Sequence, residues 1–422
     1  MLRFLGLGWW HHPDEGDTRN FPGWYLPYSI LTQVVWVAGF VGLETIDPFI
    51  GSKEDVDRFM FSLSFVITHD LTLIKLYLFF FRNKEIQDIA RTIEIEVYDY
   101  YQNKDKIIST IRITKIMTSS FVFFGWMAIA CSNLNGAFQD FKWRAAVKQL
   151  TENETRPERT LAQPIYIPWN FQGEGSYVAT FILEAAGLLW TGHIVMFIDT
   201  FIGSVILHMS NQFSILQEAF ETFIDRVAEE LMNGNPQKAL LQGVSIDDVI
   251  IVLKSHYHEK DIEDALESKM LSCIKQHQLL IRCVEKFSRT YSYGFLTQLL
   301  SSMAAICVVM VQVSNDASSF KSISLATSLA FFFAMIIQLA IQCITGNELT
   351  LQARGVADAV GRSSWHVLPP RLRRALALVV LRAQRPLTLS AAGFANMNIA
   401  CFLSIVKAAY SYYAVLSQQK QT

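Results

Sequence analysis

The sequence predicts an all-α membrane protein with seven transmembrane helices, a cytoplasmic N-terminus, an extracellular C-terminus and a helical anchor domain on the cytoplasmic side. Composition indicates the membrane: 51% of the residues are hydrophobic and only 18% are charged, so most of the surface faces something other than water. A net charge of -2 offers no basic surface to a nucleic acid, and none is expected as a partner. The lipid membrane is the partner that composition supports.

Seven apolar stretches predict the spans. A transmembrane helix needs roughly 20 mostly apolar residues, and stretches that meet this length lie at about 26–43, 59–81, 107–131, 177–207, 293–313, 322–345 and 387–417. Several are longer than required, which predicts tilt or extension into the cytoplasm. The sequence has no internal repeat and no pair of spans broken by Gly or Pro, so a membrane transporter is the less favoured interpretation.

Basic residues in alternate loops predict the orientation. The N-terminus and the segments 82–106, 208–292 and 346–386 contain 23 Lys and Arg, against 8 in the other loops and the C-terminal tail. Cytoplasmic loops carry the excess of basic residues, so the N-terminus is predicted inside and the C-terminus outside. The sequon Asn153-Glu154-Thr155 falls in the long loop that this count places outside, and Asn153 is therefore a predicted glycosylation site.

The cytoplasmic segments are predicted to fold as helices. After the fourth span, apolar side chains continue at helical spacing, at Phe213, Leu216, Phe220 and Phe223, before the turn signal at 233–236. The segment 350–384 is likewise predicted to be an amphipathic cytoplasmic helix, and it carries a series of arginines. Such amphipathic helices need a surface to pack against, and an anchor domain shared with neighbouring subunits would provide it.

The sequence offers no catalytic machinery. It lacks a Walker A loop, HExxH, GxSxG and a paired-glycine nucleotide loop. The nearest approach to a metal cluster, His256, His258 and Glu259 in SHYHEKD, has charged flanks without an apolar period, which is typical of a solvated loop. The six cysteines occur singly, so neither a zinc site nor a disulfide framework is indicated. We expect no enzyme activity, no metal and no cofactor.

Ionisable residues inside apolar spans are expensive and usually functional. Those singled out by the sequence are His69 and Asp70 in span two, Glu184 and His193 in span four and Lys407 in span seven. The alternative role for each is a bond to a neighbouring helix. Glu184 and His69 are set apart from the others because they lie in the outer halves of their spans.

Aromatic residues crowd that same outer level. Aromatic side chains at helical spacing more often serve plain packing, yet a cavity lined by them and a few polar groups suits a small apolar or semi-polar volatile. The candidate ligand-binding residues are Phe65, His69, Phe121, Phe124, Tyr177, Thr180, Phe181, Glu184, Phe331 and Phe332.

The last span carries one stripe of small or polar residues, at Ser404, Ala408, Ser411, Val415 and Gln418. A stripe at this spacing is either a close packing seam between helices or the wall of a water-filled pore with Val415 as its hydrophobic constriction. The uncharged amides near the outer mouth favour a pore of weak ion selectivity. The pore and gate candidates are Ser411, Val415, Gln418 and Gln419.

These assignments divide the chain into three regions. Residues 1–345 hold helices one to six, with the ligand pocket in their outer half and the cytoplasmic extensions at 208–292. Residues 346–386 form a cytoplasmic anchor helix, and residues 387–422 form the pore-lining seventh helix.

The C-terminal third resembles the insect odorant receptor family. The resemblance rests on Gly346-Asn347-Glu348-Leu349, on Pro386-Leu387-Thr388 before the last span and on the segment KAAYSYY from Lys407 to Tyr413. His277-Gln278, ahead of span five, also matches. The inverted seven-span topology and the long cytoplasmic helices extend the likeness in architecture to the whole chain.

The resemblance implies a tuning subunit that assembles with the odorant co-receptor into a tetrameric, non-selective cation channel. A small volatile would open this channel in the plasma membrane of an olfactory sensory neuron dendrite. The family's last span lines the pore, which places gate positions at Val415, Gln418 and Gln419, although Gln419 departs from the apolar residue of the co-receptor. The family's ligand pocket lies in the outer half, among spans two, three, four and six, and all of the aromatic candidates lie in these four spans.

Two other readings stay open from the sequence alone. One is a gustatory receptor-like channel, although the C-terminal segment from Tyr410 to Tyr413 argues against it. The other is the membrane transporter.

Overall fold

The computed structural model describes residues 24–50, 56–97, 100–149, 156–232, 246–318 and 322–419, and this part of the chain is almost entirely helical. Its helices are α1 Tyr25–Thr32, α2 Phe40–Ile50, α3 Val56–Phe81, α4 Asn83–Arg91, α5 Lys104–Gln149, α6 Glu174–Glu221, α7 Phe223–Leu231, α8 Ile246–His256, α9 Glu259–Ser318, α10 Ser322–Arg362, α11 Pro370–Ala383 and α12 Ile399–Gln419. Short π-helical segments, Gln33–Gly39 and Thr92–Glu96, follow α1 and α4.

Seven helical segments are long and apolar enough to cross a membrane, as the sequence predicts. They are Pro27–Ile50, Arg58–Phe79, Lys104–Gln149, Glu174–Glu221, Glu259–Ala317, Ile323–Arg362 and Ile399–Gln418. At 1.5 Å per residue, α9 is about 90 Å long, whereas the hydrocarbon core of a bilayer is about 30 Å thick. The longest helices therefore continue well beyond the part that a membrane would cover.

The core lies where α6, α9 and α10 meet. Helix α10 packs against α5, α6 and α9, and α3 packs along α9. The apolar positions predicted to continue the fourth span, Phe213, Leu216, Phe220 and Phe223, are buried in this core. Helix α5, by contrast, exposes many apolar side chains, including Ile116, Phe123 and Phe141. A large exposed apolar surface of this kind is what contact with lipid requires.

The anchor region differs from the single helix expected at 346–386. Helix α10 ends at Arg362, and after a 3-10 turn at Trp365–Val367 a separate helix begins at Pro370. Proline is favoured at the first turn of a helix, which explains why the new helix begins at Pro370. Helix α11 then packs against α9 and α10 through the face formed by Leu372, Leu376, Val379 and Ala383.

The seventh helix begins at Ile399 rather than at residue 387. The preceding residues form an antiparallel hairpin in which Ser390–Ala391 pairs with Ala395–Asn396. The turn between these strands holds Gly393 at a φ of 79°, a conformation that glycine adopts without strain. Asn398 then caps the helix, because its side-chain oxygen accepts a hydrogen bond from the backbone N–H of Cys401 at 2.8 Å.

Two predicted features, the sequon at Asn153 and the turn signal at 233–236, lie outside the described residues.

Candidate functional site

An apolar cavity lies among α3, α5, α6 and α10. The space between its walls, counted with its opening, is about 660 Å³. Large apolar side chains from all four helices form most of its surface, among them Phe65, Phe121, Leu188, Met196, Phe331 and Met335. Such a space suits a small organic molecule, since ligand pockets are concave, mostly apolar and furnished with few polar groups.

Four of the predicted ligand-binding residues line this cavity: Phe65, His69, Phe121 and Phe331. Phe65 of α3 and Phe331 of α10 stack on each other in its wall, with ring centroids 5.2 Å apart and planes inclined by 27°. Phe121 of α5 is 1% exposed and its position is fixed by packing. These rings come from three helices, so the cavity exists only where the helices converge.

Phe124 and Phe332 do not line the cavity. Phe124 packs against Phe333, with ring centroids 5.9 Å apart, and Phe332 meets the same ring at 5.7 Å. The contact between Phe124 and Phe333 joins α5 to α10, whereas Phe332 and Phe333 are neighbours on α10. Both contacts are ordinary packing, which was the other interpretation of the aromatic cluster.

Three of the remaining predicted residues, at the start of α6, hold a loop in place. We call residues 156–173 the cap segment. The hydroxyl of Tyr177 donates to the carbonyl oxygen of Thr160 at 3.1 Å, and Thr180 accepts a hydrogen bond from the indole of Trp169 at 3.0 Å. Glu184 accepts a hydrogen bond from the backbone N–H of Gln163 at 2.5 Å.

Arg159 ties the same cap segment to two helices. Its guanidinium lies over the rings of Trp143 and Tyr177, 4.0 and 4.5 Å from their centroids, and pairs with Asp140 at 3.2 Å. The ring of Phe181 stacks on Tyr177 at 6.3 Å. The cap segment is therefore firmly anchored, and its Gln163 forms part of the cavity wall. Sequence reasoning missed Gln163, because nothing in a loop sequence shows what it covers.

The two polar residues of span two bond to the first span. The Nδ1 atom of His69 lies 2.6 Å from a carboxylate oxygen of Glu44, a residue that is 1% exposed. The carboxylate of Asp70 accepts a hydrogen bond from the hydroxyl of Thr45 at 3.0 Å. These are the bonds to a neighbouring helix that the sequence left open as an alternative. His69 nevertheless borders the cavity, so it is held there in a fixed orientation by Glu44.

A buried charge pair lies next to the cavity. Lys75 of α3 donates to Asp199 of α6 at 2.6 Å, and the side-chain amides of Gln338 and Gln342 on α10 donate to the same carboxylate at 2.5 and 3.1 Å. Gln338 also lines the cavity. Lys75 and Asp199 were absent from the predicted polar positions, although both are ionisable residues inside apolar spans and carry the same signal.

Helix α12 turns its predicted small and polar stripe away from the bundle. Ala409 is fully buried, and Phe402, Ile405 and Tyr413 pack against the core. The exposed face carries Ser404, Lys407, Ser411, Val415 and Gln418. The helix ends at Gln419. The stripe is thus not a packing seam within this chain.

The described residues contain no group of three or more His, Cys, Asp or Glu placed to hold a metal ion. Two polar side chains of the cavity wall already have partners: His69 bonds to Glu44, and Gln338 bonds to Asp199.

Comparison with known proteins places these features in a family. The sequence model of the 7tm Odorant receptor family matches residues 55–410. Odorant receptor Or1 of Anopheles gambiae is 19% identical over 425 residues, which cover 99% of this chain and 94% of that receptor. Odorant receptor 82a of Drosophila melanogaster is 26% identical over a shorter stretch, 36% of this chain and 39% of that receptor. In this and similar local matches the chain spans less than two fifths of the relative's length.

The fold is shared with a solved receptor. The structure of the insect olfactory receptor OR5 from Machilis hrabei in complex with eugenol superposes with a TM-score of 0.75 at 15% identity, covering 99% of this chain and 95% of that one. The structure of the same receptor described without eugenol gives a TM-score of 0.74 at 14% identity.

Proposed function

The chain belongs to the 7tm odorant receptor family, and from this membership we propose that it binds a small volatile in the cavity among α3, α5, α6 and α10. The observation that carries the proposal is the cavity itself, whose walls are almost entirely apolar and come from four spans. One similar structure is a receptor in complex with eugenol, which supports a small organic occupant here too. The family is not one of enzymes, and this chain is a receptor of the membrane.

We further propose that binding opens a cation channel whose wall includes α12. A charged side chain facing lipid is costly, yet Lys407 is exposed on the same face as Ser404 and Ser411. A water-filled pore or a neighbouring subunit would give this face the polar surroundings that it needs. The pore and gate residues would be Ser411, Val415, Gln418 and Gln419, with Val415 closing the pore by dewetting.

The cavity and α12 are connected through α10. This helix provides Phe331 and Gln338 to the cavity and, two turns after Gln338, Gly346 to the contact with the residues just before α12. A β-carbon at Gly346 would lie 2.5 Å from the backbone oxygen of Met397, so the two backbones touch. A ligand that prefers one position of α10 would therefore also bias the position of α12.

The proposal includes the orientation of the chain in the membrane and its assembly with other subunits. The excess of Lys and Arg supports a cytoplasmic N-terminus and an extracellular C-terminus, with α7, α8, α11 and the adjoining ends of the long helices as the cytoplasmic anchor. In that arrangement the cap segment faces outward. We propose that the chain assembles with the odorant co-receptor as a heterotetramer in the plasma membrane of olfactory sensory neuron dendrites.

The test is whole-cell current in cells that express this chain with and without an insect odorant co-receptor while a broad panel of volatiles is applied. We expect volatile-evoked cation current only when both chains are present. Silence across the panel, with both proteins shown at the cell surface by biotinylation, would contradict the proposal. Current from this chain alone would contradict the requirement for a co-receptor.

A further inference from the structure

One part of the cavity wall holds buried polar atoms without a protein partner. Gln163 of the cap segment is 3% exposed, and neither its side-chain nitrogen nor its oxygen has a hydrogen-bond partner among the residues that the structure describes. The hydroxyl of Ser132 on α5, 2% exposed, likewise has none within that part of the chain. Buried polar groups are nearly always hydrogen-bonded, so such groups on a cavity wall need an explanation.

These two side chains lie at the same end of the cavity. The cap segment presses on α5 at Gly136, where a β-carbon would lie 2.5 Å from the β-carbon of Ala162. Ser132 precedes Gly136 by one helical turn and faces the same side, and Gln163 directly follows Ala162. Both Ser132 and Gln163 border the cavity.

Each of the other polar side chains of the wall has a hydrogen-bond partner in the protein. Thr68 and Thr327 donate to backbone carbonyl oxygens of their own helices, at 3.0 Å in each case. His69 is bound to Glu44 and Gln338 to Asp199. Among the described residues of the wall, Gln163 and Ser132 are thus the two whose buried side-chain polar atoms lack a hydrogen-bond partner.

We propose that Gln163 and Ser132 form a polar recognition end of the cavity that selects volatiles with a hydroxyl group over ethers and hydrocarbons of equal size. This inference rests on the proposed function. An amide offers donors on nitrogen and an acceptor oxygen, and a serine hydroxyl does both. An alcohol also donates and accepts, so it can satisfy both side chains, whereas an ether only accepts. A hydrocarbon leaves every one of these groups unbonded, which a site built to form hydrogen bonds penalises.

The anchoring of the cap segment makes Gln163 testable without dismantling the fold. The segment is held to α6 by the backbone N–H of Gln163, and to α2 by the backbone N–H of Tyr166, which donates to Leu43 at 3.2 Å. Gln163→Leu keeps these bonds and nearly the same side-chain volume. Ser132→Ala removes the hydroxyl of the pair, and it does so on α5 rather than in the cap segment. A folding defect in one variant would therefore not imply a defect in the other.

The experiment measures dose-response curves of whole-cell current for two sets of compounds with equal numbers of heavy atoms. One set is 2-phenylethanol, benzyl methyl ether and propylbenzene, and the other is 1-hexanol, methyl pentyl ether and heptane. In the native receptor we expect half-maximal concentrations about tenfold lower for the alcohols than for the hydrocarbons. Gln163→Leu and Ser132→Ala should each raise the values for alcohols by about tenfold and leave those for hydrocarbons unchanged.

The matched control is Gln149→Leu, an exposed glutamine at the end of α5, which should change neither value. Hydrocarbons as potent as alcohols in the native receptor, or alcohol responses unaffected by both variants at normal surface level, would overturn the inference. The polar end would then be a site for water. Silence to all six compounds in a receptor that answers other volatiles would also overturn it, whereas silence to every volatile would overturn the proposed function itself.

Discussion

The amine of Lys75 lies 2.6 Å from a carboxylate oxygen of Asp199, a residue 124 positions later in the chain, and both side chains are buried. This pair joins the second span to the fourth beside the cavity. Two glutamines of the sixth span complete the set of partners of Asp199. Together these bonds join three of the four helices that form the cavity.

Removing one charge of this pair should damage the protein more than removing both. Lys75→Met leaves a buried carboxylate without its cation, and the loss of one partner from a buried ion pair costs about 3–5 kcal/mol. We expect a large loss of surface level and a lower unfolding temperature of the purified protein in detergent. The double variant Lys75→Met with Asp199→Leu should recover part of both.

The double variant is the control for this explanation. If its loss equals the sum of the two single losses, Lys75 and Asp199 act independently and the pair is not the stabilising unit.

The contact before α12 should tolerate no added methyl group. In Gly346→Ala the new β-carbon would lie 2.5 Å from the backbone oxygen of Met397, so one of the two segments must shift. We expect lower volatile-evoked current, with destabilisation of about 1–3 kcal/mol. Gly361→Ala, in the same helix with nothing within 4 Å of its β-carbon, should be neutral or slightly stabilising. Equal effects of the two changes would show that close approach at Gly346 is unimportant.

Filling the cavity should narrow the range of active volatiles. Ala128 of α5 lines the cavity and is 8% exposed, so Ala128→Phe places a ring in the space that a ligand would occupy. Responses to the larger volatiles of a graded series should disappear before those to the smaller ones. The comparison variant is Ala130→Phe, whose side chain points to the exposed surface of the same helix. A similar loss in both variants would mean that the cavity is not the binding site.

Val415 should control the closed state of the pore. Its side chain is 56% exposed on α12, and Val415→Ser replaces an apolar constriction with a group that water can wet. We expect current in the absence of any volatile. Leu416→Ser changes the adjacent residue, which is 36% exposed on another face, and should leave the resting current low. Resting current that is low in both variants would remove Val415 from the gate.

Glycosylation tests the proposed orientation. If the loop between the third and fourth spans is extracellular, Asn153 should carry a glycan, and treatment with a glycosidase should increase the electrophoretic mobility of the protein. Asn153→Gln should have the faster mobility without treatment. Native protein that is insensitive to the enzyme while present at the cell surface would favour the opposite orientation or an unmodified site.

The sequence by itself determined the number of spans and their approximate positions. Insertion into a bilayer requires about 20 consecutive apolar residues with all backbone hydrogen bonds formed within the segment, and this requirement is local. The apolar face at Phe213, Leu216 and Phe220 was predictable for the same reason, because helical spacing is a property of neighbouring residues. The motifs near the C-terminus indicated the family, which the family match to residues 55–410 confirms.

The tertiary structure decided what each polar and aromatic residue does. The sequence ranked Glu184 with His69 as candidates for the cavity, but Glu184 binds the backbone of the cap segment, while His69 borders the cavity and bonds to Glu44. Likewise Tyr177 holds Arg159 and the loop, and Phe181 stacks on Tyr177, whereas Phe65 and Phe331 stack on each other at the cavity wall. These outcomes depend on contacts between distant segments, and no local pattern specifies which segments will meet. Gln163 is the clearest case, since a loop residue becomes part of a cavity wall only when the helices beneath it are packed.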